Sequence, residues 1–138
     1  MTNEEILQIA MEQSAIDCNC DPQDFRRIQN VVSLSAPNVL ARRYLSLPFS
    51  CNLVSYGNNI VASVQEPLAE TVRKYIDTYP TEHCFETPNL HVLSDALQPH
   101  GLKICFMAEY FLPDVTQLRA LPCNYELRLL HAADFADL

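Results

Sequence analysis

Between Pro48 and Pro67 the chain has two short β-prone runs, Cys51 to Tyr56 and Ile60 to Val64, joined by Gly57-Asn58-Asn59. Leu53 and Ser55 alternate with Val54 and Tyr56, the period of a strand with two unlike faces. Glycine and asparagine tolerate the positive φ of a tight turn, so the stretch predicts a β-hairpin. A hairpin alone is marginal in water, so it obliges the rest of the chain to cover it.

The flanking segments supply that cover. Thr2-Asn3-Glu4-Glu5 has the form of a capping box, opening a helix to about Asp17 with Ile6, Ile9, Ala10 and Ile16 near helical spacing. Asp21 and Pro22 predict a short helix to Arg27, and Val31, Val32 and Leu34 a strand closed by Pro37. A further short helix is expected at Leu40 to Leu45. Beyond Pro67, Leu68, Val72, Tyr75, Ile76 and Tyr79 share one helix face, and Pro80 stops it. Thr87 as cap and Pro88 as first residue open a helix that buries Leu90, Leu93 and Leu97 and ends near Gly101. Leu102 to Leu112 reads as an apolar strand, Pro113 to Pro122 as a short helical connection, and Tyr125 to Leu130 as a last strand. The expected fold is α+β, with a mixed, largely antiparallel sheet, a central β-hairpin and flanking helices.

Charge narrows the partners. The 138 residues carry 9 Lys and Arg against 17 Asp and Glu, a net −8, which argues against nucleic acid and anionic membranes. The N-terminus is acidic rather than a secretory signal, and no stretch is long and apolar enough for a membrane span. The expected compartment is the cytoplasm, where Cys18, Cys20, Cys51, Cys84, Cys105 and Cys123 stay reduced.

The densest group of reactive side chains is His83, Cys84, Glu86, Thr87, Asn89 and His91, at a loop and helix start. A thiol there can have its pKa lowered and serve as nucleophile with His83 or His91 as base. The competing reading is structural, with Thr87 capping, Glu86 favoured by the helix dipole and His91 paired to Asp95. These six residues are the candidate ligand-docking loop; no catalytic, cofactor or metal residue is assigned. Cys18 and Cys20 with His83-Cys84 lack a usual zinc spacing. Arg26-Arg27 and Arg42-Arg43 can fork onto phosphate, but acids are the commoner partners in so acidic a chain.

The stretch Tyr125-Glu126-Leu127-Arg128-Leu129-Leu130-His131-Ala132-Ala133-Asp134-Phe135-Ala136-Asp137-Leu138 resembles the opening of a GNAT superfamily acetyltransferase domain. Upstream, Leu47 to Gly57, His83 to Leu93, and Cys105-Phe106-Met107-Ala108-Glu109-Tyr110-Phe111-Leu112-Pro113 resemble the N-terminal domain of bacterial two-part GNAT proteins. The resemblance spans nearly all the chain. It implies an accessory domain over residues 1–122 and, over 123–138, the first strand and helix start of a truncated GNAT-like domain. Such proteins seat the acetyl-CoA pyrophosphate on a Gln/Arg-x-x-Gly-x-Gly/Ala loop; here Gly57 and Gly101 are the only glycines and neither matches it. The resemblance therefore implies no cofactor in this chain, acetyl-CoA being expected only for a full-length relative. The function expected is a non-catalytic substrate-recognition or scaffolding domain, and the alternative is a small stand-alone binder or enzyme using the His83 to His91 cluster. An open-edged Tyr125 to Leu130 strand would also make a homodimer by strand exchange.

Overall fold

The computed structural model describes residues 1–42, 49–119, 122–126, 128 and 131. Three helices, α1 (Asn3–Cys18), α2 (Ala69–Thr78) and α3 (Thr87–Leu97), and three strands, β1 (Val31–Leu34), β2 (Cys51–Val54) and β3 (Val61–Val64), make an α+β fold among these residues. The sheet order is β1-β3-β2, with β1 parallel and β2 antiparallel to β3, so it is evenly mixed.

β3 is central and buried along its whole length, which explains why Val61-Ala62-Ser63-Val64 holds no charged residue. Its alternation divides the core between the two faces of the sheet. Ile60, Ala62 and Val64 pack with Leu68, Val72, Tyr75 and Ile76 and, from around α3, Cys84, Leu93 and Leu97. Val61 packs on the other side with Met11, Ala15 and Cys18 of α1 and with Phe25. The result is one sheet between α1 and the α2/α3 pair.

Local signals explain several boundaries. Thr2 and Glu5 form the capping box, Thr2 Oγ1 accepting from Glu5 N at 3.2 Å and Glu5 Oε2 from Thr2 N at 2.6 Å. α1 ends on Asn19 at φ 53°, a left-handed position that asparagine tolerates better than most residues. Asp21 caps the 3-10 turn Pro22–Arg26. Gly101 at φ 71° ends the 3-10 turn Gln98–His100 that follows α3.

Several expectations are corrected. The buried face of α1 is Met11, Ser14, Ala15, Asp17 and Cys18, whereas Ile9 is exposed. Apolar residues surround this helix, and tertiary partners for Ser14 and Asp17 decide which side faces inward. The cap of α3 is Glu86, with Thr87 as the first helical residue. Leu102 to Leu112 is not a strand. Leu102 and Ile104 lean on the core, but the main chain from 103 to 113 makes no hydrogen bond among the described residues. An apolar pattern supplies a face; a strand also needs a ladder partner. Asp114 to Gln117 forms a turn rather than a helix, Gln117 N donating to Asp114 O at 3.0 Å. Asn38 to Ala41 is likewise a turn, while residues 43–45 of the expected short helix lie outside the described residues. Of the expected last strand, Tyr125, Glu126 and Arg128 show no strand geometry, and Leu127, Leu129 and Leu130 lie outside the described residues, as do 132–138.

Among the described residues, no helix is long and apolar enough to cross a membrane.

Candidate functional site

The stretch from His83 to His91 is the junction between α2 and α3. Pro80 lacks the amide that would continue α2, and Thr81–Phe85 closes into a 3-10 turn before Pro88 starts α3. Three of the six candidates come together. His83 Nδ1 lies 2.9 Å from Glu86 Oε2, and Asn89 Nδ2 donates to His83 O at 2.8 Å. The hydrogen bond and charge of Glu86 push the exposed His83 imidazole above its ordinary pKa.

Cys84 points elsewhere. It is fully buried between α2 and α3, where its Sγ donates to Tyr79 O at 3.6 Å and Tyr75 OH donates to its carbonyl at 2.7 Å. Burial, helped by Glu82, pushes its thiol up to about 11. A nucleophilic cysteine needs the opposite shift, so this thiol serves the core. Thr87 and His91 are exposed at the surface of α3. The junction is a surface pair, one amide anchor and a thiol buried in the core.

If so, brief alkylation at pH 8 should modify exposed Cys105 and Cys123 and spare buried Cys18 and Cys84, read by mass spectrometry of peptides. Rapid labelling of Cys84 would contradict its structural role. His83 gives a second expectation. Because its folded pKa is raised, the pair with Glu86 stabilises the fold below the ordinary histidine value of about 6.5. That contribution is lost as pH rises through the raised folded value. Glu86→Gln should therefore bring the His83 titration down, followed by NMR, and change thermal stability only on the acid side; an unmoved titration would contradict the pairing.

The other candidates separate cleanly. Cys18 and Cys84 lie on opposite faces of the sheet, and among the described residues no three His, Cys, Asp or Glu side chains gather as metal ligands. Arg26 reaches Glu4 at 2.5 Å, and Arg27 reaches Asp24 at 2.9 Å. Arg42 donates to Asp17 through Nε at 2.5 Å and through its main-chain N at 3.0 Å. Arg43 lies outside the described residues. Gly57 stands between β2 and β3, and Gly101 follows the 3-10 turn after α3.

Two features escaped sequence reasoning. Beneath the end of α1, buried Asp17 also accepts from Gln13 Nε2 at 3.1 Å, and Ser14 Oγ meets Tyr56 OH at 2.9 Å. No local signal marks this group, because its members come from three distant segments. The second is the 105–112 segment, where Phe106 and Met107 are 55% and 54% exposed, Tyr110 70% and Phe111 86%. Their apolar run was legible; their exposure was not. The segment is held at its margins by Phe106 on Phe49, with ring centroids 5.7 Å apart, by Arg42 over the Tyr110 ring at 5.8 Å, and by Asn3 Nδ2 donating to Asp114 Oδ1 at 2.8 Å.

Comparison with protein families, with curated proteins and with solved structures finds no match for this chain.

Proposed function

We propose that this chain is a non-catalytic scaffolding or substrate-recognition domain of a GNAT-like acetyltransferase. One observation carries the reading: two core clusters are complete without the 105–112 segment, whose large apolar side chains remain exposed. Exposed apolar side chains in one contiguous run mark an interaction surface. Its occupant under this reading is the transferase domain that the resemblance places after it, with Phe106, Met107, Tyr110 and Phe111 as the contact side chains. The resistance of Cys84 to ionisation, and the dispersal of the other candidate groups, support a binding role over a chemical one.

Acetyl-CoA belongs to the partner domain in this account. Calorimetric titration of the chain with acetyl-CoA is expected to give no binding heat, since the chain has no matching glycine loop and carries a net charge of −8 against a polyphosphate. Micromolar binding would contradict the proposal.

A further inference from the structure

The two edges of the sheet are treated differently. Along β1 the outward carbonyl of Leu34 accepts from Asn19 Nδ2 at 3.0 Å, and Ser33 Oγ ties the strand to Cys18 O at 2.7 Å, so α1 closes the C-terminal end of that edge and leaves only Val32 open between its bonded neighbours. Among the described residues β2 has no such contact. Gln65 N donates to Ser50 O at 2.9 Å, and the register sets Asn52 opposite Ser63 and Val54 opposite Val61. In an antiparallel ladder hydrogen-bonded pairs alternate with non-bonded ones. The N–H and C=O groups of Cys51 and Leu53 therefore point away from β3, and among the described residues nothing hydrogen-bonds to them.

Natural sheets block such an edge with charge, proline or a bulge. This one has none: Phe49 through Gln65 contains no Asp, Glu, Lys, Arg or Pro, in a chain that carries 26 such charges, 9 basic plus 17 acidic. We propose that β2 is a self-association edge, at which two copies of this chain pair antiparallel about a two-fold axis at Asn52. The local absence of charge selects the occupant. Two molecules of net charge −8 repel over most of their surfaces and approach at least cost where neither carries a charge. The pairing is also self-complementary, as a two-fold interface requires. Cys51 of one copy faces Leu53 of the other, each exchanging both main-chain hydrogen bonds, and Asn52 faces Asn52. Phe106, packed on Phe49 just ahead of β2, brings exposed apolar surface beside the junction.

The test is sedimentation of the full chain across a concentration series, combined with residue-resolved amide exchange. The expected result is a monomer that becomes a dimer at high concentration. With dimerisation the amides of Cys51 and Leu53 gain protection, while those of Asn52 and Val54, already bonded to β3, change little. Cys51→Pro removes an outward donor that the internal ladder does not use, and is expected to shift the equilibrium back to monomer. A chain that stays monomeric at millimolar concentration overturns the proposal. So does a dimer in which the Cys51 and Leu53 amides remain unprotected, or one that persists in folded Cys51→Pro protein, as a dimer built through Tyr125 to Leu130 would. Should Cys51→Pro fail to fold, the exchange pattern of the unaltered chain decides alone.

Discussion

Asp17→Ala is expected to lower folding stability by about 2–3 kcal/mol: three hydrogen bonds to a buried carboxylate are lost, while Arg42, its side chain 35% exposed, can turn to water. Asp17 is buried with one carboxylate oxygen on Arg42 Nε and the other on Arg42 N and Gln13 Nε2. Truncation removes the acceptor these donors share and loosens the Asn38 to Arg42 turn from α1, which Gln13 Nε2 still reaches at Leu40 O, 3.4 Å away. Because Arg42 also lies over Tyr110, the loss extends to the 105–112 segment. Against a total stability of about 5–15 kcal/mol for a domain, much of the folded population is at risk. Denaturant unfolding followed by circular dichroism measures it, and a change below about 0.5 kcal/mol, the range of ordinary surface substitutions, would show that the pair holds nothing together.

Asn59 is the second position with a large expected effect. It is fully buried, and its Nδ2 donates to Asp24 O at 2.9 Å and to Gln29 O at 2.8 Å, fastening the chain between α1 and β1 to the start of β3. Its Oδ1 is the one buried side-chain acceptor without a partner among the described residues, so both donors are committed. Asn59→Ala orphans two carbonyls at about 1–3 kcal/mol each. Asn59→Asp should be worse at neutral pH, because a carboxylate would face the same two carbonyls with nothing to donate. Burial raises the folded pKa of such a carboxyl above the unfolded value of about 3.9. The folded state then binds more protons, so stability falls as pH rises through that window and recovers on acidification. Thermal melts of both variants from pH 4 to pH 8 test this, and an Asn59→Asp protein as stable as the parent at pH 7 would contradict the anchoring role.

The same residue shows where sequence reasoning reached and where it stopped. Gly57-Asn58-Asn59 reads as a turn tolerant of positive φ, yet of the three only Gly57, at φ 101°, uses that freedom; Asn59 is there for its side chain. Elements whose signal is local were legible: the Thr2 capping box, the Asp21-Pro22 start, the α2 stripe of Val72, Tyr75 and Ile76 with Leu68 in the turn just ahead of it, and the proline boundaries. Features that depend on a distant partner were not. The inward face of α1 is chosen by Tyr56 and Arg42 as much as by its own apolar spacing, and Leu102 to Leu112 has strand composition but, among the described residues, no ladder partner. At the His83 to His91 junction the residue types were visible, but the direction of the Cys84 side chain, which decides its chemistry, is a tertiary fact.

A finished core that carries an exposed apolar segment as its interaction surface has a distinct exchange pattern. Amide hydrogen exchange on the full chain, at a concentration where it is monomeric, tests this most directly. Slow exchange is expected along β3 and the buried turns of α2, and exchange near the unstructured rate from Cys105 to Leu112, whose main chain has no hydrogen-bond partners among the described residues. Protection of Cys105 to Leu112 equal to that of β3 would contradict it, because the segment would then be part of the core and not a surface awaiting a partner.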